Sequence, residues 1–253
     1  MSEASVGALR GKAALVTGAS SGLGKATAIA LAAAGADVAL VARSEEDLRS
    51  VEAEASDAGG RALSLPTDLV SPEQTFAAVE SAVAEFGRLD ILVNAAGTDA
   101  PGAVADLDVD GWDRTLDVNL RAPFLLSGAV FPHMREAGAG LILNVSSVAG
   151  KKGWANAAAY CASKFGLTGL TESLADEGRE HGIRACIIYP GAMATNWGAW
   201  TPEDRHGESG GEASEFQALP PSQVADFIVW LAAAPPGFVL TEGIVVPVGE
   251  GLP

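Results

Sequence analysis

A doubly wound α/β sheet of about seven parallel strands, flanked by helices on both faces, is the fold class that this 253-residue chain predicts. Three observations carry it. Short apolar runs alternate with helix-length runs from one end of the chain to the other. The composition is 48% hydrophobic, enough to bury a large core within a single domain spanning residues 1–253. The first strand is followed at once by a glycine-rich turn, TGASSGLG, that opens into a helix.

Each element follows from local signals. Ala13 to Thr17 is the first strand, and Lys25 to Ala34 reads as a helix stopped by Gly35. Asp37 to Ala42 gives the second strand, Glu45 to about Ala58 a helix, and Arg61 to Leu65 the third strand. Ser71-Pro72-Glu73 starts a helix, with a capping hydroxyl followed by proline at the first helical position. That helix runs to about Phe86, before the strand Asp90 to Asn94. Two long helices, Gly111 to Ala137 and Ala157 to Glu180, flank the strand Leu141 to Val145, and Arg184 to Tyr189 is the sixth strand. After Pro190 the rhythm breaks. The stretch at about 192–218 is rich in glycine and charge, too long for an ordinary connection, and reads as a substrate lid. A helix from Ser222 to Ala233 and a strand from Gly243 to Val248 complete the chain. Gly178, late in the second long helix, costs about 1 kcal/mol relative to alanine there and has no functional reading.

Charge and composition exclude several classes of function. With 32 acidic against 16 basic residues the net charge is -16, so nucleic acid and anionic membrane surfaces are repelled. No apolar run approaches the roughly 18 residues that span a bilayer, and the N-terminus lacks the pattern of a signal peptide, so a cytoplasmic protein is expected. Cys161 and Cys186 have no redox or metal spacing and read as packing residues. His133, His181 and His206 have no metal spacing either, so no metal site is expected.

Gly18, Gly22 and Gly24 fall between a strand and a helix, where the missing side chains let backbone approach a pyrophosphate at the helix N-terminus. The alternative is a glycine-rich turn with no ligand. Cofactor choice belongs at the end of the second strand, where a carboxylate would accept from ribose hydroxyls and repel a 2′-phosphate. Here Ala42 is followed by Arg43 and Ser44, a cation and a hydroxyl that suit a phosphate, so NADP(H) is preferred over NAD(H). Against this, Arg43 can instead pair with Glu46 or Asp47 on a solvated turn. Asp68, after the third strand, can accept from an adenine amino group or cap the following turn. Tyr160 and Lys164, four residues apart, put a phenol and an ammonium on one helix face, which reads as a proton-transfer site.

With these residues in hand the chain resembles the short-chain dehydrogenase/reductase family over essentially its full length. The matches are TGASSGLG, NAAG at Asn94 to Gly97, Asn119 in LDVNL, Ser147 in NVSSVAG, YCASK and PGAMAT at Pro190 to Thr195. The resemblance implies a Rossmann-type fold and a tetrad of Asn119, Ser147, Tyr160 and Lys164. Tyr160 would exchange a proton with the carbonyl oxygen while the nicotinamide exchanges hydride with carbon, and Ser147 would orient that oxygen. A phenol titrating near 10 is too weak an acid for this task near neutrality, so the Lys164 ammonium and an oxidised nicotinamide are expected to lower it. Lys164 would also hold the nicotinamide ribose. Asn119 would position a water between lysine and solvent, or serve a helix bend instead. Ser146 competes for the serine role, but the thirteen-residue spacing to Tyr160 favours Ser147.

The resemblance further places Ser20, Ser21 and Leu23 of the glycine loop, and Asp68 with Leu69, against the cofactor. Asn94, Ala96 and Gly97 would lie beside the adenosine ribose, Pro190 and Gly191 beside the nicotinamide, and Thr195 near its carboxamide. Ala95 stands where the family often has asparagine, and VVPVGEG replaces the more frequent VDGG ending. Family members commonly pair their two long helices, which implies a homodimer or homotetramer.

For the substrate, Ser147, Trp154, Met193, Trp197 and Trp200 fall in segments expected to form the pocket, which suggests a bulky apolar or aromatic ketone or secondary alcohol. Trp197 and Trp200 can equally anchor the lid or meet another subunit. Lys151 and Lys152 can meet an anionic substrate or form a solvated loop. A 3-oxoacyl-thioester reductase, on acyl carrier protein or CoA, ranks second because this acidic chain offers little basic docking surface. A non-catalytic dinucleotide sensor or scaffold is the alternative of another class, and the intact tetrad argues against it.

Overall fold

The structure, a computed structural model, describes residues 7–195 and 217–251. Seven strands form one sheet: β1 (Ala13–Thr17), β2 (Asp37–Ala42), β3 (Ala62–Pro66), β4 (Ile91–Asn94), β5 (Gly140–Val145), β6 (Ile183–Pro190) and β7 (Glu242–Val245). Their order is β3-β2-β1-β4-β5-β6-β7, and every pairing is parallel. The strands are mainly apolar because helices cover both faces, as parallel sheets require; β1 and β4 are buried at every position.

The helices are α1 (Gly22–Ala33), α2 (Glu45–Ala58), α3 (Pro72–Phe86), α4 (Val109–Leu116), α5 (Ala122–Ala137), α6 (Ala158–Gly178) and α7 (Pro221–Ala233). One core layer packs α1, α2 and α7 against the sheet through residues such as Leu31, Leu48 and Ile228. The opposite layer packs α3, α5 and the end of α6 through Val79, Leu126, Met134 and Leu174. The strand order reverses between β1 and β4, so a crevice opens at their carboxyl ends, where ligands bind in sheets of this kind.

Boundaries differ from expectation where glycine and proline act. Helix α1 starts at Gly22, three residues before Lys25, because Gly22 and Gly24 form its first turn. The helix expected from Gly111 to Ala137 is interrupted by a π turn at Asp117–Arg121. Pro123, four residues after Asn119, has no N–H to return to the Asn119 carbonyl, so regular α spacing cannot continue there. Strand β7 stops at Val245, ahead of Pro247, which cannot donate to a ladder. Gly178 also gains a reason: a Cβ there would lie 2.7 Å from the Ile183 carbonyl oxygen, so glycine lets the end of α6 meet the start of β6.

Candidate active site

A cleft of about 1490 Å³ runs across the carboxyl ends of the strands. That volume exceeds the several hundred Å³ of a typical single-ligand pocket and suits a dinucleotide together with a second molecule. Its lining takes in most of the positions read from the sequence: Gly18, Ser20, Ser21, Gly22, Leu23 and Gly24 of the first loop, then Arg43 and Ser44, then Asp68 and Leu69. Ala96, Gly97, Ser147, Tyr160, Lys164, Pro190, Gly191, Met193 and Thr195 line it as well.

The loop after β1 is shaped for an anion. A Cβ on Gly24 would lie 2.2 Å from the Gly18 carbonyl oxygen, and one on Gly18, whose φ is +67°, would lie 2.9 Å from the Ala96 Cα. Side chains at either position would force the loop apart. Ser21 precedes α1 without capping it through its side chain, and the first turn carries no acidic residue. The leading N–H groups of α1 therefore face the cleft with no competing carboxylate, which fits a pyrophosphate. Thr195 folds back onto this loop, its Cγ2 within 3.5 Å of where a Gly22 Cβ would stand.

At the end of β2, Arg43 is exposed and makes no ion pair among the described residues, so the expected alternative of pairing with Glu46 or Asp47 is not what the structure shows. Ser44 caps α2, accepting from the Asp47 amide at 3.3 Å. Asp68 does what its second reading described: its carboxylate accepts from the Val70 amide at 3.1 Å while it borders the cleft.

The residues read from the sequence as a proton-transfer site, Tyr160 and Lys164, meet Ser147 at the opposite end. Tyr160, in the first turn of α6, is 8% exposed and hydrogen-bonded to the Ser147 hydroxyl. Ser147 also accepts from the Ala149 amide at 3.2 Å, whereas Ser146 turns inward toward the Lys164 carbonyl at 3.4 Å. Lys164 is buried, donates from Nζ to the Val145 carbonyl at 2.9 Å, and stands 5.6 Å from the centroid of the Tyr160 ring. Burial lowers its ammonium to about 8. The Tyr160 phenol is raised rather than lowered: burial is the largest cause, the Ser147 hydrogen bond opposes it, and the Asp99 charge adds to it. The protein's own groups thus do not produce the acidified phenol expected from the sequence, because desolvation outweighs them.

Several expected positions lie elsewhere. Asn94 is buried between β4 and β5, where its amide donates to Asn144 at 2.8 Å, and Asn144 donates in turn to Thr171 at 2.8 Å. Strand alternation points the Asn94 side chain into the sheet's packing, away from the cleft that Ala95 and Ala96 border. Asn119 does not border the cleft either. Its amide clamps Thr98, accepting from the Thr98 N–H and donating to the Thr98 carbonyl, both at 2.8 Å, and also donates to Ser163 at 3.0 Å. Its side chain is thereby consumed by structure. Trp154 is 49% exposed at the tip of a loop held down on either side, by the Lys151–Glu242 pair and by the Gly102 amide on the Asn156 carbonyl, and it does not border the cleft. Lys151 lies over the Tyr189 ring at 4.5 Å and is engaged with Glu242 at 2.5 Å, so it does not serve as a free anion contact. Trp197, Trp200 and most of the expected lid at 192–218 lie outside the described residues.

Three contributors went unread in the sequence. The Thr17 hydroxyl accepts from the amides of Ala95 and Ala96 at 3.1 and 3.0 Å, fixing the loop that faces Gly18. Glu250 accepts from the Ala192 amide at 2.9 Å and packs its carboxylate against Gly191, joining the C-terminal segment to the loop after β6. Asp99 lies half-buried behind Thr98, accepts from the Ala100 amide at 2.7 Å, and is pushed up to about 6 by burial. Only Thr17, the first letter of TGASSGLG, carried a signal that could have found it.

Among the described residues, no helix is long and apolar enough to cross a membrane. The sequence profile described as short chain dehydrogenase matches residues 12–206. A 3-alpha-(or 20-beta)-hydroxysteroid dehydrogenase of Mycobacterium tuberculosis is 40% identical over 227 residues, covering 90% of this chain and 84% of that protein. Trans-4-hydroxycyclohexanecarboxylate dehydrogenase of Sinomonas cyclohexanicum is 37% identical over 245 residues, 94% of this chain and 92% of that one. A crystal structure of a metagenomic short-chain oxidoreductase in complex with NADP superposes with a TM-score of 0.82 at 38% identity, covering 95% of this chain and 98% of its own.

Proposed function

This chain belongs to the short-chain dehydrogenase/reductase family and is an oxidoreductase of hydroxyl and carbonyl groups; from that premise we propose an NADP(H)-dependent enzyme that interconverts a bulky, apolar or aromatic ketone and its secondary alcohol. The observation that carries this reading is the meeting of Ser147, Tyr160 and Lys164 in the same cleft as the glycine loop. The nicotinamide, when bound, supplies or accepts the hydride. The Ser147 and Tyr160 hydroxyls, already bonded to each other, converge on one substrate oxygen, and Tyr160 gives up its proton to that oxygen in reduction. Lys164, held in place by the Val145 carbonyl, provides positive charge beneath the phenol as the proton leaves. Asn119 acts through position, fixing the Thr98 segment against the catalytic helix.

The backbone amides of the glycine loop and the start of α1 would hold the pyrophosphate, and Arg43, which makes no ion pair among the described residues, would meet a 2′-phosphate. The NADP in the similar metagenomic oxidoreductase supports that preference, with NAD(H) the second choice. Exposed Phe124 and Phe165 on α5 and α6, and exposed Trp230 and Ile244 on α7 and β7, support assembly into a homodimer or homotetramer. The engagement of Lys151 with Glu242 weakens the 3-oxoacyl-thioester reading further. The test is NADPH and NADH oxidation over ketones graded in bulk and charge, with Tyr160→Phe as control. Turnover that prefers NADPH and vanishes in the variant is expected; equal turnover by the variant refutes the proposal.

A further inference from the structure

We propose that Glu250 is a positioning residue for the nicotinamide end of the cleft: its carboxylate, reaching in from the C-terminal segment, holds the loop after β6 in the shape that receives the ring. The inference rests on the oxidoreductase reading above, in which the nicotinamide lies beside Pro190 and Gly191. Its first support is placement. Pro190, Gly191, Met193, Ala194 and Thr195 line the cleft, whereas Ala192 and Glu250 do not. The Ala192 amide donates to the Glu250 carboxylate at 2.9 Å, so Glu250 grips the loop from behind and touches no ligand itself. The amides on either side are held by backbone carbonyls, Gly191 on Val245 at 2.9 Å and Ala194 on Leu219 at 2.8 Å. Ala192 is the point at which a side chain sets the course of the loop.

The second support is fit. The Glu250 Cδ lies 2.6 Å from where a Cβ on Gly191 would stand, so the carboxylate occupies the space that any side chain at position 191 would need. Glycine there and glutamate at 250 fill one volume between them. A tight turn delivers the carboxylate: the Glu250 amide donates to the carbonyl of buried Pro247 at 3.1 Å, and Gly249 supplies a φ of +98°. Glu250 makes no ion pair among the described residues, so its charge strengthens the bond to the loop amide. At the far end of the same loop the Thr195 methyl group packs toward Gly22. Fixing Ala192 therefore fixes the span that joins the nicotinamide end to the glycine loop.

The test compares the native protein, Glu250→Ala and Glu250→Gln in two titrations: NADPH, followed by its nicotinamide fluorescence, and 2′,5′-ADP, which lacks the nicotinamide, followed by calorimetry. NADH and AMP replace that pair if the native protein binds NADH more tightly. Glu250→Ala is expected to weaken NADPH binding by about tenfold, the size of one charge-assisted hydrogen bond, and to leave 2′,5′-ADP within about twofold. Glu250→Gln, whose amide oxygen still accepts from Ala192, is expected to stay within about threefold of native for both. Binding of 2′,5′-ADP also reports whether a variant is folded; should Glu250→Ala fail to fold, Glu250→Asp, one methylene too short to reach Ala192, takes its place. Equal weakening of both nucleotides, NADPH binding unchanged by the truncation, or no rescue by glutamine overturns the assignment, and ketone reduction by the native enzyme then leaves the oxidoreductase reading standing. The expected binding pattern without reduction of any ketone upholds the assignment and overturns that reading.

Discussion

Replacing Lys164 with methionine should stabilise the protein at neutral pH while removing its turnover. Burial holds the native ammonium at about 8, against 10.5 for an unfolded chain, so keeping it charged inside the fold costs about 3 kcal/mol at pH 7. Methionine fills nearly the same space without charge. The loss on the other side is the 2.9 Å hydrogen bond from Nζ to the Val145 carbonyl, and an orphaned carbonyl costs about 1–3 kcal/mol. A net gain of about 1 kcal/mol remains, or a few degrees in Tm for a chain of this length. The pH dependence is the sharper reading. Because the folded pKa lies below the unfolded one, the unfolded chain binds more protons between pH 8 and 10.5, and the native protein recovers stability as pH rises through that window. The variant has no such recovery, so the stability difference should shift by about 2 kcal/mol toward the native protein between pH 7 and pH 9.5, turning the variant's advantage into a deficit of about 1 kcal/mol. Urea unfolding of both nucleotide-free proteins at the two pH values, followed by tryptophan fluorescence, measures this directly. A gap that is the same at both values refutes the argument.

Three further outcomes are expected. Gly178→Ala should lower stability by about 1–3 kcal/mol despite the better helix propensity of alanine, because the new Cβ meets the Ile183 carbonyl; denaturant midpoints check the sign. Arg43→Ala should raise KM for NADPH by about tenfold and leave KM for NADH within about twofold, read from initial rates with each cofactor. Thr17→Val should weaken NADPH binding by about tenfold in fluorescence titration, because the amides of Ala95 and Ala96 lose their shared acceptor and the loop facing Gly18 loosens.

The sheet was legible because each strand is a mainly apolar run bounded by turn residues, and single polar positions within the runs, such as Asn144 in β5, do not break the pattern. The proton-transfer pair and the glycine loop were legible for a different reason: their geometry is local, set by helix periodicity and by a strand-to-helix turn. What escaped was long-range. The roles of Asn94 and Asn119 depend on partners 50 and 21 residues away, and no spacing within a segment reports them. The rise in the Tyr160 pKa depends on burial, which a motif does not encode. Trp154 was misplaced because composition alone says that a tryptophan is near a site, and which way its loop faces is decided by ties from Lys151 and Asn156. Glu250 reaches the Ala192 amide across 58 residues of chain.

The segment from Ala95 to Thr98 belongs to no helix or strand, yet Thr17 and Asn119 take up four of its backbone groups. Ordering a free loop of that length costs about 1–2 kcal/mol per residue in conformational entropy. Here that cost is met when the chain folds, before any ligand arrives. Association with a dinucleotide then draws nothing from this wall of the cleft, and the affinity its contacts provide is retained in full.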